Sequence, residues 1–202
     1  MVRSIGFVAL AIGVFGFSLA PRTHAGIISY TAHLDGLSES PPNASPGIGF
    51  AEVDIDDVGQ TMRVQVTFSG LLGTTTASHI HSPTLNPGGG TAGVATQTPT
   101  FAGFPLGVTS GTYDRTFDLT DASTYNTAFV TSNGGTVSGA EAALLAGLAA
   151  GKAYLNIHTS VAPGGEIRGF LRPVPEPASL ALAAVGGLCI LAARLRRPNR
   201  IS

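Results

Sequence analysis

Residues 154–171 read YLNIHTSVAPGGEIRGFL, and this stretch decides the fold of the chain. Leu155 and Ile157 alternate with polar residues, which is the period of a strand that buries one face. Pro163 and the two glycines after it predict a turn, because proline fixes φ and glycine tolerates positive φ. Alternation resumes after the turn, so the stretch predicts a β-hairpin. Glu166 and Arg168 share one face of its second strand and are expected to form an ion pair. Its expected partner upstream is the segment SHIH at residues 78–81.

Five upstream segments show the composition or the alternation of short strands. They cover residues 27–34, 47–55, 62–68, 74–81 and 111–119. In the second segment we expect Ile48 and Phe50 to point inward. A glycine allows an irregularity in the strand, after which Val53 and Ile55 are expected to point inward as well. Short strands separated by turns predict a mainly β domain, an antiparallel β-sandwich or a small barrel.

Two short helical inserts are predicted between the fifth strand and the hairpin. Asp121 is placed to cap a helix that runs to residue 130, because its carboxylate accepts hydrogen bonds from free N–H groups. Ser138 and Glu141 have the spacing of a capping box, which predicts a second helix over residues 142–150.

The composition is typical of an exported β protein. The chain is 44% hydrophobic and only 11% charged, and it contains 27 glycines. Acidic residues outnumber basic ones in residues 26–173, which argues against nucleic acid as a partner. The single cysteine, Cys189, lies outside that range, so the domain is expected to have no disulfide.

Residues 1–25 have the pattern of a secretory signal peptide. Arg3 gives the positive start, residues 5–20 are apolar, and a small residue precedes the expected cut between Ala25 and Gly26. The alternative is an uncleaved N-terminal membrane helix.

The last part of the chain, residues 174–202, contains three features in a fixed order. Pro175, Glu176 and Pro177 come first, then an uncharged apolar run at residues 178–193, then a cluster of arginines. The run predicts a transmembrane helix, and the arginines predict that its end stays in the cytoplasm.

This order resembles the PEP-CTERM sorting signal. The resemblance implies recognition by an exosortase-type enzyme of a Gram-negative bacterium, removal of the tail, and delivery to the cell envelope, cell surface or extracellular matrix. The alternative is a plain C-terminal anchor, kept in the membrane.

Three histidines are the strongest candidates for chemistry. His79 and His81 are two residues apart on a predicted strand, so both imidazoles project from one face. His158 of the hairpin is the expected third ligand of a Zn²⁺ or Cu²⁺ ion, and Glu166 is a fourth ligand or orients a histidine. The alternative is a hydrogen-bonded network, without metal, that holds the hairpin to the sheet.

The domain between the two terminal signals resembles the CHRD (chordin-type) family. The motifs that carry the resemblance are Leu34-x-Gly36, Glu39-x-Pro41-Pro42, Gly47-x-Gly49-x-Ala51, Val66-x-Phe68-Ser69-Gly70-Leu71, SHIH at residues 78–81, GKAYLNIHT at residues 151–159 and PGGEIRG at residues 163–169. The resemblance implies an extracellular β-rich module, residues 26–173, with no established catalytic activity.

Two functions follow as hypotheses. The first is an exported, non-enzymatic surface or matrix module without a cofactor, whose partners are exopolysaccharide or matrix proteins. The chain lacks the Gly-x-Ser-x-Gly, P-loop and His-Glu-x-x-His motifs, in keeping with a module that is not an enzyme. The second is a copper- or zinc-binding redox or metal-handling protein that uses His79, His81 and His158.

Overall fold

A computed structural model describes residues 26–175, in which eight antiparallel strands form one curled, half-barrel sheet. The strands are β1 (Ile27–Asp35), β2 (Ile48–Asp56), β3 (Thr61–Ser69), β4 (Thr75–His81), β5 (Gly111–Asp118), β6 (Tyr154–Thr159), β7 (Ile167–Phe170) and β8 (Arg172–Pro173). Their order in the sheet is β4-β6-β7-β1-β2-β3-β5, and β8 pairs with β1. The predicted mainly β, antiparallel fold is confirmed.

The terminal hairpin and its upstream partner lie together as the sequence predicts. β6 pairs with β7, and β4 pairs with the other edge of β6, where His79 lies opposite Asn156. On β6 the inward residues Leu155 and Ile157 are fully buried. The outward residues are also largely buried, so this strand is covered on both faces.

The predicted inward face of β2 is wrong at its start. Ile48 is 62% exposed, whereas Val53 and Ile55 are buried. The pairing of β2 with β1 and β3 runs without interruption from Ile48 to Asp56, so the alternation keeps one phase along the strand. Alternate residues of a strand point to opposite faces. Since Val53 and Ile55 point inward, Ile48 points outward.

The first helical insert is shorter than predicted. Asp121 caps only a 3₁₀ turn, Ala122–Thr124, and α1 (Thr127–Ser132) begins separately after its own cap, Asn126. Tyr125 interrupts them because its backbone is extended and its hydroxyl donates to the Leu119 carbonyl at 2.8 Å. The helix is therefore interrupted at Tyr125, where the ring is buried in the core.

The second insert, α2 (Val137–Ala149), begins earlier than predicted. Its cap is Thr136, whose hydroxyl oxygen accepts from the Gly139 N–H at 3.1 Å, so the predicted capping box at Ser138 and Glu141 is wrong. Leu144 and Leu148 of α2 pack into the core as expected.

Several predictions concern residues at the two ends of the chain. Within residues 26–175, no helix is long and apolar enough to cross a membrane. The signal peptide at residues 1–25, the helix at residues 178–193, and Glu176 and Pro177 lie outside the described residues. Gly26 and the exposed Pro175 are the first and last residues that the structure describes.

Candidate metal centre

The three predicted histidines lie together on the outer face of the sheet. His79 and His81 project from β4 and His158 from β6, and one ring nitrogen of each lies within 4.8 Å of the other two. Ala77 of β4 is opposite His158, so the antiparallel register sets His158 diagonally beside His79. Strand pairing therefore assembles the group from residues about 80 positions apart.

Backbone carbonyl groups of the surrounding loops fix the orientation of all three rings. Each carbonyl can only accept, so the ring nitrogen that faces it must carry the proton. The three bonds are His79 Nε2–H to Pro99 O at 2.6 Å, His81 Nδ1–H to Ala92 O at 2.9 Å, and His158 Nδ1–H to Pro163 O at 2.9 Å.

The other nitrogen of each ring is left with a free lone pair. These atoms are Nδ1 of His79, Nε2 of His81 and Nε2 of His158, and all three are buried without a hydrogen-bond partner. They are the nitrogens that remain available as ligands, because the carbonyl-bonded nitrogen of each ring carries the proton. Buried polar atoms are rarely left unpartnered, so the triplet requires an explanation.

The low pKa values of the three histidines keep these nitrogens unprotonated, so that their lone pairs can bind a metal ion. Burial lowers the pKa of His79, His81 and His158, and more strongly than the backbone carbonyls raise it. The pKa of His81 falls to about 4. The three imidazoles are therefore neutral at neutral pH, which is the form that binds a metal.

This arrangement fits a transition-metal ion. Three neutral imidazoles, each held by a carbonyl at its second nitrogen, form a common ligand set for zinc and copper. Tetrahedral bonds of about 2.0–2.1 Å would place the ligand nitrogens about 3.4 Å apart. The present limit of 4.8 Å between the ligand atoms is wider than that value.

The low histidine pKa values predict a loss of stability of the metal-free domain in mild acid, which Glu39 partly offsets because its pKa is raised to about 7. An unfolded histidine titrates near pH 6.5, so below that pH the unfolded chain binds protons that the folded chain excludes. His81 alone should remove about 3 kcal/mol of stability between pH 6.5 and about 4. Urea unfolding in a chelator, at several pH values, measures this loss.

The control is His81→Phe, which keeps a flat ring against its neighbour and removes the titration. We expect a shallower pH slope in this variant than in the parent protein. Equal slopes would show that His81 does not carry the effect.

Glu166 does not join the three histidines. Each carboxylate oxygen accepts two hydrogen bonds, and the four donors are Ser45 Oγ at 2.6 Å, Leu72 N at 2.6 Å, Gly73 N at 3.1 Å and Thr159 Oγ1 at 2.6 Å. Burial raises the pKa of Glu166, but these donors outweigh it and hold the pKa below its usual value. The structure thus places Glu166 as a link between loops, with its oxygens already occupied.

A row of buried side chains beside the histidines was not foreseen. The Tyr154 ring stacks parallel on His81 with centroids 4.8 Å apart, and the guanidinium carbon of Arg168 lies over the Tyr154 ring, 4.7 Å from its centroid. The only sequence signal was the alternation of β6, which puts Tyr154 on the same face as His158.

Arg168 takes its partner from a distant loop. Its Nε lies 3.8 Å from a Glu39 carboxylate oxygen and donates to the Ser38 carbonyl. The expected pairing of Arg168 with Glu166, two residues away on the same strand face, is therefore wrong. Burial raises the pKa of Glu39 to about 7, although Arg168 opposes the shift.

Comparison with known proteins identifies two regions of the chain. The family model of the CHRD domain matches residues 30–171. The model of the PEP-CTERM protein-sorting motif matches residues 173–197, and such a motif implies export to the envelope of a Gram-negative bacterium and processing by an exosortase. No curated protein and no solved structure matches the chain significantly.

Proposed function

Because this chain belongs to the CHRD domain family and ends in a PEP-CTERM sorting motif, we propose that it is a cell-surface or matrix protein that binds one transition-metal ion. The ligands are His79, His81 and His158. The protein acts as a binding module rather than an enzyme, and zinc and copper are the candidate ions.

One observation carries the metal proposal, namely that three histidines with ligand atoms within 4.8 Å of one another each bury a ring nitrogen that has no hydrogen-bond partner. A purely structural hydrogen-bond network accounts for the other nitrogen of each ring, but it leaves these three unsatisfied. Each buried unsatisfied group costs about 1–3 kcal/mol. A single bound ion satisfies all three at once, which favours the metal site over the network.

The surroundings of the histidines support binding rather than catalysis. In the described residues, the group around the three nitrogens contains neither a carboxylate nor a thiolate. A cavity of about 700 Å³ in the described residues lies elsewhere, between the ends of β1, β2, β3 and β5, and none of the three histidines lines it. A bound ion thus has few groups nearby that could act on an organic substrate.

The terminal segments support the proposed location. The predicted signal peptide would direct export, and an exosortase would act at Pro175, Glu176 and Pro177. At the cell surface, exopolysaccharide and matrix proteins are the partners that this route makes available. A plain membrane anchor would give the same domain a permanent place on the envelope.

Metal content of the chain purified from the envelope of an expression host tests the proposal. We expect about one Zn or Cu ion per chain by elemental analysis, and none in a His79→Ala/His81→Ala variant. Absence of metal from the parent protein, after exposure to both ions, would contradict it. In that case the variant should also be less stable, as the hydrogen-bond network predicts.

A further inference from the structure

We infer that the three-histidine centre is a Cu⁺ site, which prefers this monovalent ion to Zn²⁺ and Cu²⁺. The inference rests on the proposed metal function and concerns the charge that the site tolerates. It follows from the groups that surround the ligands and from the burial of the centre.

The ligand set contributes no negative charge. All three imidazoles are neutral, so the bound complex carries the full charge of the ion. The buried acidic side chains of the described residues are Glu39 and Glu166. Glu166 already accepts four hydrogen bonds, and Glu39 lies against Arg168. Neither carboxylate is free to offset an ion at the centre.

A fixed positive charge lies close to the centre. The Arg168 side chain is buried, and both its guanidinium and the His81 ring lie against the ring of Tyr154. The two stacking distances place this cation within about 10 Å of the His81 imidazole. Glu39 offsets it only in part near neutral pH, because burial raises the pKa of that carboxyl to about 7.

These charges penalise a divalent ion more than a monovalent one. The cost of removing an ion from water grows steeply with its charge, and repulsion by Arg168 grows in proportion to it. At an effective dielectric constant of about 20 and a distance of about 10 Å, each additional ion charge weakens binding by roughly tenfold.

The preferred coordination number of each ion also favours Cu⁺ over Zn²⁺ and Cu²⁺. Zn²⁺ normally requires a fourth ligand beside three histidines, and Cu²⁺ favours tetragonal geometry. Here a fourth ligand would have to come from solvent, although His79 and His81 are only 7% and 8% exposed and His158 is half-buried. A d¹⁰ monovalent ion is satisfied by three nitrogens in a plane, which the three rings can supply.

Competition titrations of the purified full chain test the inference. Under anaerobic conditions Cu⁺ is partitioned against bicinchoninate, and Zn²⁺ and Cu²⁺ are measured against chelators of matched affinity. We expect Cu⁺ to bind at least about 100-fold more tightly than either divalent ion. Equal or tighter binding of Zn²⁺ or Cu²⁺ would overturn the inference but leave the metal function intact. Failure to bind any of the three ions would overturn both.

A pair of variants isolates the charge of Arg168. Arg168→Gln removes the cation, and Arg168→Lys keeps it on a different side chain. We expect Arg168→Gln to reduce the preference for Cu⁺ over Zn²⁺ by about tenfold, and Arg168→Lys to retain it. If both variants lose the preference for Cu⁺ equally, or if neither loses it, the charge of Arg168 does not set that preference. If Arg168→Gln does not fold, the titrations of the parent protein decide the question.

Discussion

His81→Ala is expected to weaken metal binding by more than about 100-fold and to leave the fold intact. The substitution removes one of three nitrogens, and even groups that only orient a ligand are worth about 10–100-fold in affinity. His79→Ala and His158→Ala should have effects of similar size, because the three lone pairs are equivalent in burial and lack of partner. Isothermal or chelator-competition titration gives the affinities.

His33→Ala is the matched control for these substitutions. His33 lies exposed on β1, away from the three-histidine group, so its loss should not change the affinity. Unfolding in a chelator gives the structural contribution separately. Unchanged affinity in all three ligand variants, with a large loss of stability in each, would show that the histidines only hold the hairpin in place.

Glu166→Gln is expected to lower the free energy of unfolding by about 3–5 kcal/mol, because two buried donors lose their acceptor at a cost of about 1–3 kcal/mol each. The four hydrogen bonds join the loop before β2, the loop before β4, and the end of β6. A glutamine amide can accept at only one end, so at least one donor pair is left facing an NH₂ group. Urea unfolding at pH 7.5 measures the loss.

Glu141→Gln provides the control for this prediction. Glu141 of α2 accepts weak, exposed bonds of 3.3–3.4 Å from Gln60, so its substitution should cost less than about 0.5 kcal/mol. Folded Glu166→Gln protein should still bind about one ion per chain. Loss of the ion without loss of stability would instead identify Glu166 as a ligand.

The loss of stability of the parent protein in acid gives a second measure of how much Glu166 stabilises the fold. Its pKa is held below the usual value, so its contribution to stability is complete above about pH 4.5 and is lost as the pH falls through the folded-state pKa. The Glu166→Gln variant should lack that loss. The His81 effect extends down to about pH 4, so the comparison of the parent protein with Glu166→Gln, rather than the pH range alone, assigns the loss to Glu166.

Local patterns in the sequence determined the strands and the composition of the site. The two-residue period of β4 places His79 and His81 on one face wherever the strand lies. The same period separates Leu155 and Ile157 from His158 on β6. These features depend only on neighbouring residues, which is why the mainly β fold and the three candidate ligands could be predicted.

Other features depended on contacts between distant residues. The phase of β2 was fixed by unbroken pairing with both neighbours, and the first helix was interrupted because Tyr125 enters the core. Alternation alone made Glu166 and Arg168 look like a pair. The loops provided better partners for each, at Ser45 and at Glu39.

The sequence by itself therefore determined which residues share a face, and the tertiary structure decided what those residues meet. The register of β4 against β6 brings His158 beside His79, and Pro99, Ala92 and Pro163 supply the carbonyls that orient the rings. Strand periodicity is a property of consecutive residues. Register and loop contacts are set by packing between segments far apart in the chain, which no local pattern records.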